Sequence, residues 1–459
     1  MQYSRPMRLT GIAIAAACTM ALAACSGGSN ADSFQIAVNT DGGHQAWSDA
    51  VTNQIANNLG IKATTKSYAS FDELRTDVTE RTIETAFRTG WQPDYPSIYN
   101  YLQPIYFTGA GSNDGDYSNE EFDDFMRQVS AAQDSEEAYE LQAKGQAVLM
   151  QDLPAIPLWY SNIAAVYSKK VDNVEFNWQN QPDYTGITKK GGGAILTHGT
   201  QPQNPLIPTA TNEVGGGNVI NQMYAGLVRY KNNGEAVNDV AESITSDDNK
   251  TWTVKLKSGQ EFSDGSPVTA NSFVKAWNYG AVGANKQLNS YFFYPIVGFD
   301  EAQADEAEGL SGLKVVDDST FTIELNQAEA SFPARLGYSA FFPVPEKAFD
   351  DLEAYGRAPI GNGPYKMASD DAWEDDVKIS LVANDNYKGA IKVKEDALTF
   401  VFYTNLEAAY TDVQAGNLDV LETVPDGSLS TFTEDDKVNA VSEPGSVFQS
   451  FTIPTTLEH

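Results

Sequence analysis

Residues 87–102 read FRTGWQPDYPSIYNYL, and the rest of the chain can be organised around them. Pro93 and Pro96 flank Asp94, so the backbone there should be extended or turned rather than helical. An indole precedes the acid and several tyrosines follow it. A stiff aromatic strip that carries one basic and one acidic group suits a zwitterionic, partly apolar ligand better than it suits covalent chemistry. An ordinary aromatic core segment with two surface charges would explain the same composition.

The composition restricts the class of protein. A chain of 459 residues predicts two or three domains with sizeable cores. Its formal net charge of −32 argues against nucleic acid and against anionic lipid as partners. A generally acidic surface explains that charge as well as a preference for cationic ligands does.

The N-terminus is typical of an exported lipoprotein. Residues 1–25 combine Arg5 and Arg8 with a short apolar run and end in Leu-Ala-Ala-Cys, which resembles the bacterial lipobox. Cys25 would then carry the lipid that anchors the protein, and residues 26–33 would form a flexible tether. Cys18 would be removed with the leader, so no disulfide is expected in the mature chain.

The first segments after the tether have an α/β pattern. Residues 34–39 and 61–68 read as strands, and residues 44–59 between them read as an amphipathic helix that Gly60 terminates. One face of that helix should carry its four apolar residues at a spacing of four: Trp47, Val51, Ile55 and Leu59.

Further along the chain, local signals place single elements. Ser118 followed by Glu121 predicts a capping box at the start of a helix, and residues 158–167 read as one apolar strand. Residues 252–257 alternate between apolar and polar side chains, which predicts a half-buried strand. A helix should begin after Thr269, and residues 406–415 should form a helix that Gly416 caps.

Several segments together resemble a known family. They are KTWTVKLKSGQEFSDGSPVTANSFVKAWN at 250–278, GNGPYKM at 361–367, ANDNYKG at 383–389 and FVFYTNLEAAYTDVQAGNLDVLETVP at 400–425, with the Gly-Trp-x-x-Asp-Tyr of the opening stretch. These segments look like the signature regions of the family 5 solute-binding proteins, the oligopeptide- and dipeptide-binding lipoproteins of ABC peptide importers.

The resemblance implies a two-lobed α/β fold of the periplasmic-binding-protein type II, peptide-binding class, with the ligand cleft between the lobes. The protein would be a monomer on the outer face of the cytoplasmic membrane, where it would capture oligopeptides and deliver them to a permease with cytoplasmic ATPases. By motif match, Asp94 would pair with the ligand's α-amino group, and Trp91 and Tyr95 would wall the pocket. Arg88 would meet a carboxylate or, preferably, hold an ion pair inside the cleft. Further polar contacts are expected from three residues of an irregular loop: Gln201, Asn204 and Asn212.

The order of the segments departs from the family and looks circularly permuted, with Lys-Lys-Gly-Gly-Gly at 189–193 as the joint. The expected division is 34–90 for part of lobe II, 91–190 for a return segment to lobe I, 191–435 for lobe I with its extra subdomain, and 436–459 for a truncated start of lobe II. The family's central helix has no equivalent, so the second lobe looks incomplete. A rearranged gene, an assembly error and deliberate engineering all explain this order.

Other classes of function find little support in the sequence. The 3 histidines are scattered, there is no Cys/His cluster, and the acids around residues 113–116 do not have EF-hand spacing, so no metal or cofactor is expected. There is no G-x-S-x-G elbow and no P-loop, which argues against an enzyme. A family member that binds a metal chelate or a glycan, and a rearranged product without a ligand, remain alternatives; Asp94 favours peptides because it offers a partner for an amine.

Overall fold

A computed structural model describes residues 33–40, 44–132 and 135–455 of the chain. The predicted signal peptide, the lipidation site Cys25 and nearly all of the tether therefore lie outside the described residues. The described residues divide into two compact units, one up to residue 86 and the other from residue 87 onward. Among the described residues, no helix combines the length and the apolar character needed to cross a bilayer.

The first unit is a strand–helix–strand–helix segment. Its elements are β1 (Ser33–Asn39), α1 (Gln45–Leu59), β2 (Lys62–Tyr68) and α2 (Phe71–Thr79). β1 and β2 pair in parallel, with Phe34 opposite Ala63, so a crossover connection is needed and α1 supplies it. Gly60 ends α1 in the left-handed conformation at φ +71°, as predicted.

The predicted apolar face of α1 is confirmed only in part, because Trp47, Val51 and Ile55 are half-buried. Ser48 and Thr52 are the buried positions of this helix, whereas Leu59 is 67% exposed. The Oγ of Ser48 is hydrogen-bonded to Thr65 Oγ1 at 2.9 Å, and Thr52 Oγ1 donates to the carbonyl of Ser48 at 2.9 Å. Small hydroxyl residues therefore face β2, where their polar atoms are satisfied locally.

The second unit contains most of the helices and strands. Its helices are α3 (Gln103–Tyr106), α4 (Glu120–Ala131), α5 (Ser135–Asp152), α6 (Val214–Met223), α7 (Ala270–Ala281), α8 (Phe299–Gln303), α9 (Phe332–Arg335), α10 (Leu352–Arg357) and α11 (Leu406–Ala415). Its strands are β3 (Ala86–Trp91), β4 (Ala155–Tyr160), β5 (Ile163–Ser168), β6 (Val171–Asp172), β7 (Thr188–Lys189), β8 (Ile195–Gly199), β9 (Val228–Tyr230), β10 (Ala236–Asn238), β11 (Ala241–Thr245), β12 (Thr251–Leu256), β13 (Leu313–Asp317), β14 (Thr320–Glu324), β15 (Tyr365–Met367), β16 (Trp373–Glu374), β17 (Lys378–Ala383), β18 (Ala397–Phe402), β19 (Val420–Leu421), β20 (Val438–Glu443) and β21 (Phe448–Thr452).

The alternating strand of the sequence is β12, in the antiparallel sheet β11-β12-β14-β13. Trp252, Val254 and Leu256 are buried while the residues between them are exposed, which confirms the predicted pattern. Helix α7 brings the fully buried Trp277 into the same core. Thr269 is its N-cap, and the Thr269 N–H donates to Ser272 Oγ at 3.1 Å.

A second, mixed sheet joins strands from both sides of the glycine-rich joint. Its order is β15-β17-β18-β8-β19-β5-β20, so β5, which precedes the joint, and β8, which follows it, lie in one sheet. Gly191, Gly192 and Gly193 all have positive φ, at 91°, 71° and 108°. Beside them, Lys189 forms an ion pair with Asp419, with its Nζ 2.6 Å from Oδ2. The order of the segments relative to the family stays a prediction.

Two local predictions need correction. Asn119, and not Ser118, caps α4, because its side chain accepts from the N–H groups of Glu121 and Phe122. The apolar run at 158–167 is two strands rather than one. β4 pairs with β21 and β5 pairs with β20, so the chain leaves one sheet for another between Tyr160 and Ile163.

Candidate functional site

A cavity of about 560 Å³ opens within the second unit. Its lining combines the loop that contains residues 177–185, the stretch 221–233 around the start of β9, residues 337–342, and several single residues from other elements. Asp94 is one of those single residues. The opening stretch of the sequence therefore contributes its acid to a concave surface large enough for a small ligand.

Asn100 fixes the position of Asp94. The Asp94 N–H donates to Asn100 Oδ1 at 2.7 Å, and Asn100 Nδ2 donates back to Asp94 Oδ2 at 3.0 Å. The indole N–H of Trp91 donates to the same Asn100 oxygen at 3.0 Å. Asn100 is only 1% exposed, so its side chain is protected from water and holds the carboxylate in one orientation.

The environment of Asp94 favours its neutral form in the free protein. Burial raises the pKa of Asp94 to about 7, against the opposing effects of hydrogen bonds from Asn100 and Tyr338 and of the Arg335 charge. The side chain is half-buried and faces the cavity. An incoming cation would therefore meet a carboxylate whose charge is poorly compensated, which is the condition under which a charge-assisted hydrogen bond contributes most.

The positive charge near Asp94 is Arg335, which sequence reasoning did not identify. Its Nε donates to Oε1 of Glu329 at 2.8 Å, and both side chains are 3% exposed. The guanidinium carbon also lies 5.4–5.5 Å from the ring centres of three tyrosines: Tyr95, Tyr99 and Tyr294. The arginine is thus enclosed by an ion pair and by aromatic faces, and it acts on Asp94 through its field rather than through a direct bond.

Of the four residues predicted for the site, one lines the cavity and three do not. Asp94 lines the cavity. Trp91 supports it through Asn100, and Tyr95 is 4% exposed and packs in a hydrophobic core; neither is among the residues that line the cavity. Arg88 lies in β3 opposite Phe451 of β21 and is likewise not among the lining residues. The ligand roles of these four residues stay predictions.

The loop candidates for polar contacts lie outside the cavity lining. Gln201 is occupied by a protein partner: its Nε2 donates to Asp375 Oδ1 at 3.2 Å, and its Oε1 accepts from the N–H of Asp376 at 3.0 Å. The cavity takes its amide side chains instead from the loop that contains residues 177–185 and from the stretch 221–233. Gln179 is one of them, and no sequence motif marked it.

Two hydrogen bonds hold that loop against the Asp94 segment. Gln92 Nε2 donates to the carbonyl of Gln179 at 2.8 Å, and Gln179 Nε2 donates to the carbonyl of Pro93 at 3.1 Å. On the neighbouring wall the rings of Trp178 and Tyr230 meet edge to face at 5.2 Å. Aromatic faces therefore lie beside the acid, which suits a ligand with one ammonium group and apolar side chains.

The cavity is lined by charged and aromatic groups. Within the described part of the chain, no group of three or more His, Cys, Asp or Glu residues could hold a metal ion. A His–carboxylate contact is formed by His198 and Glu422, 2.7 Å apart, but neither residue lines the cavity. The charged and aromatic groups that do line it can orient a ligand.

Comparison with known proteins identifies the region that follows the glycine joint. Residues 235–456 match the family described as bacterial extracellular solute-binding proteins, family 5 Middle. The oligopeptide-binding protein OppA of Bacillus subtilis is 30% identical over 54% of this chain and 46% of its own length. The dipeptide-binding protein DppE of the same organism is 28% identical over 51% of this chain and 43% of its own length. The chain thus spans about half the length of the curated relatives it matches.

Among solved structures, OppA of Burkholderia pseudomallei superposes with a TM-score of 0.50 at 23% identity, over 53% of this chain and 48% of the other. That likeness confirms the predicted α/β fold class. The family is defined by the binding of solutes and not by a reaction, which agrees with the prediction of a binding protein rather than an enzyme. The family that residues 235–456 match is the one whose signature regions the sequence motifs resemble.

Proposed function

We propose that this protein captures short peptides outside the cytoplasm and delivers them to the permease of an ABC importer. The observation that carries the proposal is the carboxylate of Asp94, which is held by Asn100 at the surface of a cavity of about 560 Å³. Relatives named as oligopeptide- and dipeptide-binding proteins support the same class of ligand.

The peptide's α-ammonium group would bind Asp94. Two features favour a cation there: the acid lies beside the aromatic pair Trp178–Tyr230, and burial raises its pKa, so that its negative charge lacks full compensation. An ammonium donating to this carboxylate would contribute roughly 1.5–3 kcal/mol net. The ligand's apolar side chains would pack on the aromatic faces.

The location follows from the N-terminal sequence. Cleavage before Cys25 and lipidation of its thiol would hold the protein on the outer face of the cytoplasmic membrane. A monomer on a flexible tether would then reach a permease in the same membrane.

Calorimetry with trialanine and N-acetyl-trialanine tests the amine contact. Wild-type protein at pH 8 should bind trialanine at least about tenfold more tightly than the acetylated peptide, since 1.4 kcal/mol corresponds to a factor of ten. Asp94→Asn should lose a similar factor for trialanine and should discriminate little between the two peptides, because both changes delete one interaction. Equal affinity of the wild type for both peptides would overturn the amine contact.

Native mass spectrometry of the purified protein provides the second arm. A series of co-purified masses that differ by amino-acid residues supports capture of peptides. A single recurrent mass of a metal chelate or a glycan would contradict the proposal.

A further inference from the structure

The side-chain amide of Gln179 bonds to the peptide unit that precedes Asp94. Gln179 Nε2 donates to the carbonyl oxygen of Pro93 at 3.1 Å, and the Asp94 N–H donates to Asn100 Oδ1 at 2.7 Å. That carbonyl and that N–H belong to one planar unit, and in the trans form they point in opposite directions. Two side chains therefore hold the same plane from its two ends, which restricts its rotation and fixes the Cα atom from which the Asp94 carboxylate extends.

A second hydrogen bond joins the same two segments. Gln92 Nε2 donates to the backbone carbonyl of Gln179 at 2.8 Å, so each glutamine donates its amide to a main-chain carbonyl of the other segment. Both glutamine side chains are half-buried. Two crossed bonds fix the distance between the segments and also their register, which a single bond would leave free.

The loop that contains residues 177–185 has its own internal support around Gln179. Asn177 Oδ1 accepts from the N–H groups of Gln179 and Gln181, at 2.9 and 3.1 Å. The carbonyl of Asn177 accepts from the N–H of Asn180 at 2.9 Å. One asparagine thus satisfies three consecutive positions of the turn, apart from the contacts of Gln179 with the Asp94 segment.

Ser446, which is not among the cavity-lining residues, anchors both chain neighbours of Gln179. Its Oγ donates to the carbonyl of Trp178 at 2.7 Å, and its N–H donates to Asn180 Oδ1 at 3.0 Å. Its own carbonyl accepts from the hydroxyl of Tyr101 at 2.7 Å. Ser446 lies between β20 and β21, which belong to different sheets, so the loop is bonded to a connection that strands fix at both ends.

We propose that Gln179 is a positioning residue for the ligand's ammonium group. It holds the peptide unit between Pro93 and Asp94 at one end while Asn100 holds it at the other, so that the carboxylate keeps its orientation at the cavity. Gln179 acts through Asp94 rather than on the ligand. The inference deepens the proposed capture of peptides and rests on it for the identity of the cation.

Loss of the Gln179 donor should change Asp94 in a defined direction. In Gln179→Met the side chain keeps a similar length but cannot donate, so one end of the peptide unit is released. Burial raises the pKa of Asp94 to about 7. A carboxylate that can turn towards water is less desolvated, and its pKa should therefore fall towards the ordinary value.

The titration of Asp94 in the ligand-free full chain measures this change. The side-chain carboxyl ¹³C resonance, identified by its loss in Asp94→Asn, is followed between pH 3 and 9. Gln179→Met should lower the proton affinity of Asp94 roughly threefold or more, the factor that one net hydrogen bond contributes. Gln92→Met removes the other bond between the two segments and should change the titration in the same direction, which keeps the test open if the first variant does not fold.

Gln201→Met is the matched control. It also deletes a glutamine amide that is bonded to the protein, at 3.2 Å to Asp375 Oδ1 and at 3.0 Å from the N–H of Asp376, but it lies outside the cavity lining. This variant should leave the titration of Asp94 unchanged. An equal change in the control, or no change in either Gln179→Met or Gln92→Met, overturns the positioning role.

Peptide binding at pH 8 provides a second readout. Gln179→Met should reduce the preference for trialanine over N-acetyl-trialanine roughly threefold to tenfold, because a less ordered carboxylate binds the ammonium more weakly. A loss of affinity shared equally by both peptides would indicate a general structural role and would count against the proposal. A reduced preference with an unchanged Asp94 titration would mean that Gln179 touches the ammonium itself, and this too would contradict positioning.

The two readouts separate this inference from the proposed function. If trialanine does not bind the wild type while Gln179→Met shifts the Asp94 titration, peptide capture fails and the positioning of Asp94 stands. If the wild type prefers trialanine while Gln179→Met changes neither the preference nor the titration, peptide capture stands and the role of Gln179 fails.

Discussion

Replacement of Asp94 by asparagine should stabilise the ligand-free protein, and the gain should grow as the pH rises. The pKa of Asp94 is about 7 in the folded chain, compared with an ordinary value of 3.8. The folded protein therefore binds a proton more readily than the unfolded chain does. Below pH 3.8 the neutral acid carries no penalty, and as the pH rises through the folded pKa the carboxylate must ionise in a desolvated site.

The magnitude follows from the two pKa values. The difference between them corresponds to about 4 kcal/mol of lost stability at pH 8, as an upper bound because the side chain is half-buried and open to the cavity. Asparagine is uncharged and its Oδ1 can still accept the 3.0 Å hydrogen bond from Asn100 Nδ2. The variant should therefore avoid the cost of ionisation and keep its hydrogen bond to Asn100.

Urea unfolding at pH 4, 6 and 8 measures the effect. The free energy of unfolding of Asp94→Asn minus that of the wild type should increase steadily over this series. Asp385→Asn, at an exposed position of the same unit, is the matched control and should show no such trend. A difference that stays constant with pH, or a carboxyl ¹³C resonance of Asp94 that titrates near pH 4, would refute the assigned environment.

Four further outcomes are expected. Asn100→Ala should weaken trialanine binding about tenfold, because Asp94 loses the group that orients it; calorimetry that shows unchanged affinity would contradict this. Trialanine affinity of the wild type should fall about tenfold per pH unit below 7, since protonation of Asp94 competes with the ammonium, and a flat profile between pH 5 and 7 would exclude this competition. Glu329→Gln should lower the free energy of unfolding by about 3–5 kcal/mol, because it leaves the buried charge of Arg335 unpaired, and a loss below about 1 kcal/mol in urea unfolding would show that the tyrosine rings suffice. Cys25→Ser should release the protein from the membrane fraction; retention to the wild-type extent would argue against the lipid anchor.

The parts of the fold that could be predicted are those that local pattern controls. The alternation of β12 and the glycine that ends α11 in the left-handed conformation at φ 70° both follow from neighbouring residues, and both were predicted. The buried face of α1 was not predicted, because Ser48 and Thr52 become interior only when β2 supplies the partner Thr65. The break after Tyr160 also depends on distant strands that compete for the chain.

The residues at the cavity also differ in whether local sequence could predict them. The sequence pointed to Asp94 because prolines, an indole and tyrosines surround it in one stretch. Arg335, whose charge acts on it, belongs to a distant helix and is drawn in by its buried ion pair with Glu329. Contacts between residues far apart in sequence leave no local spacing to detect.

The backbone of the glycine joint should distinguish L-amino acids from D-amino acids. Gly191 and Gly193 have φ values of 91° and 108°, yet a Cβ built on either would meet no heavy atom within 4 Å. What excludes other residues there is the chirality of L-amino acids rather than crowding. A D-alanine introduced at Gly191 by chemical ligation would have mirror-image preferences and would fit this backbone, whereas L-alanine would strain it by roughly 1–2 kcal/mol. The joint is therefore a position at which the two enantiomers of one residue should have opposite effects on stability.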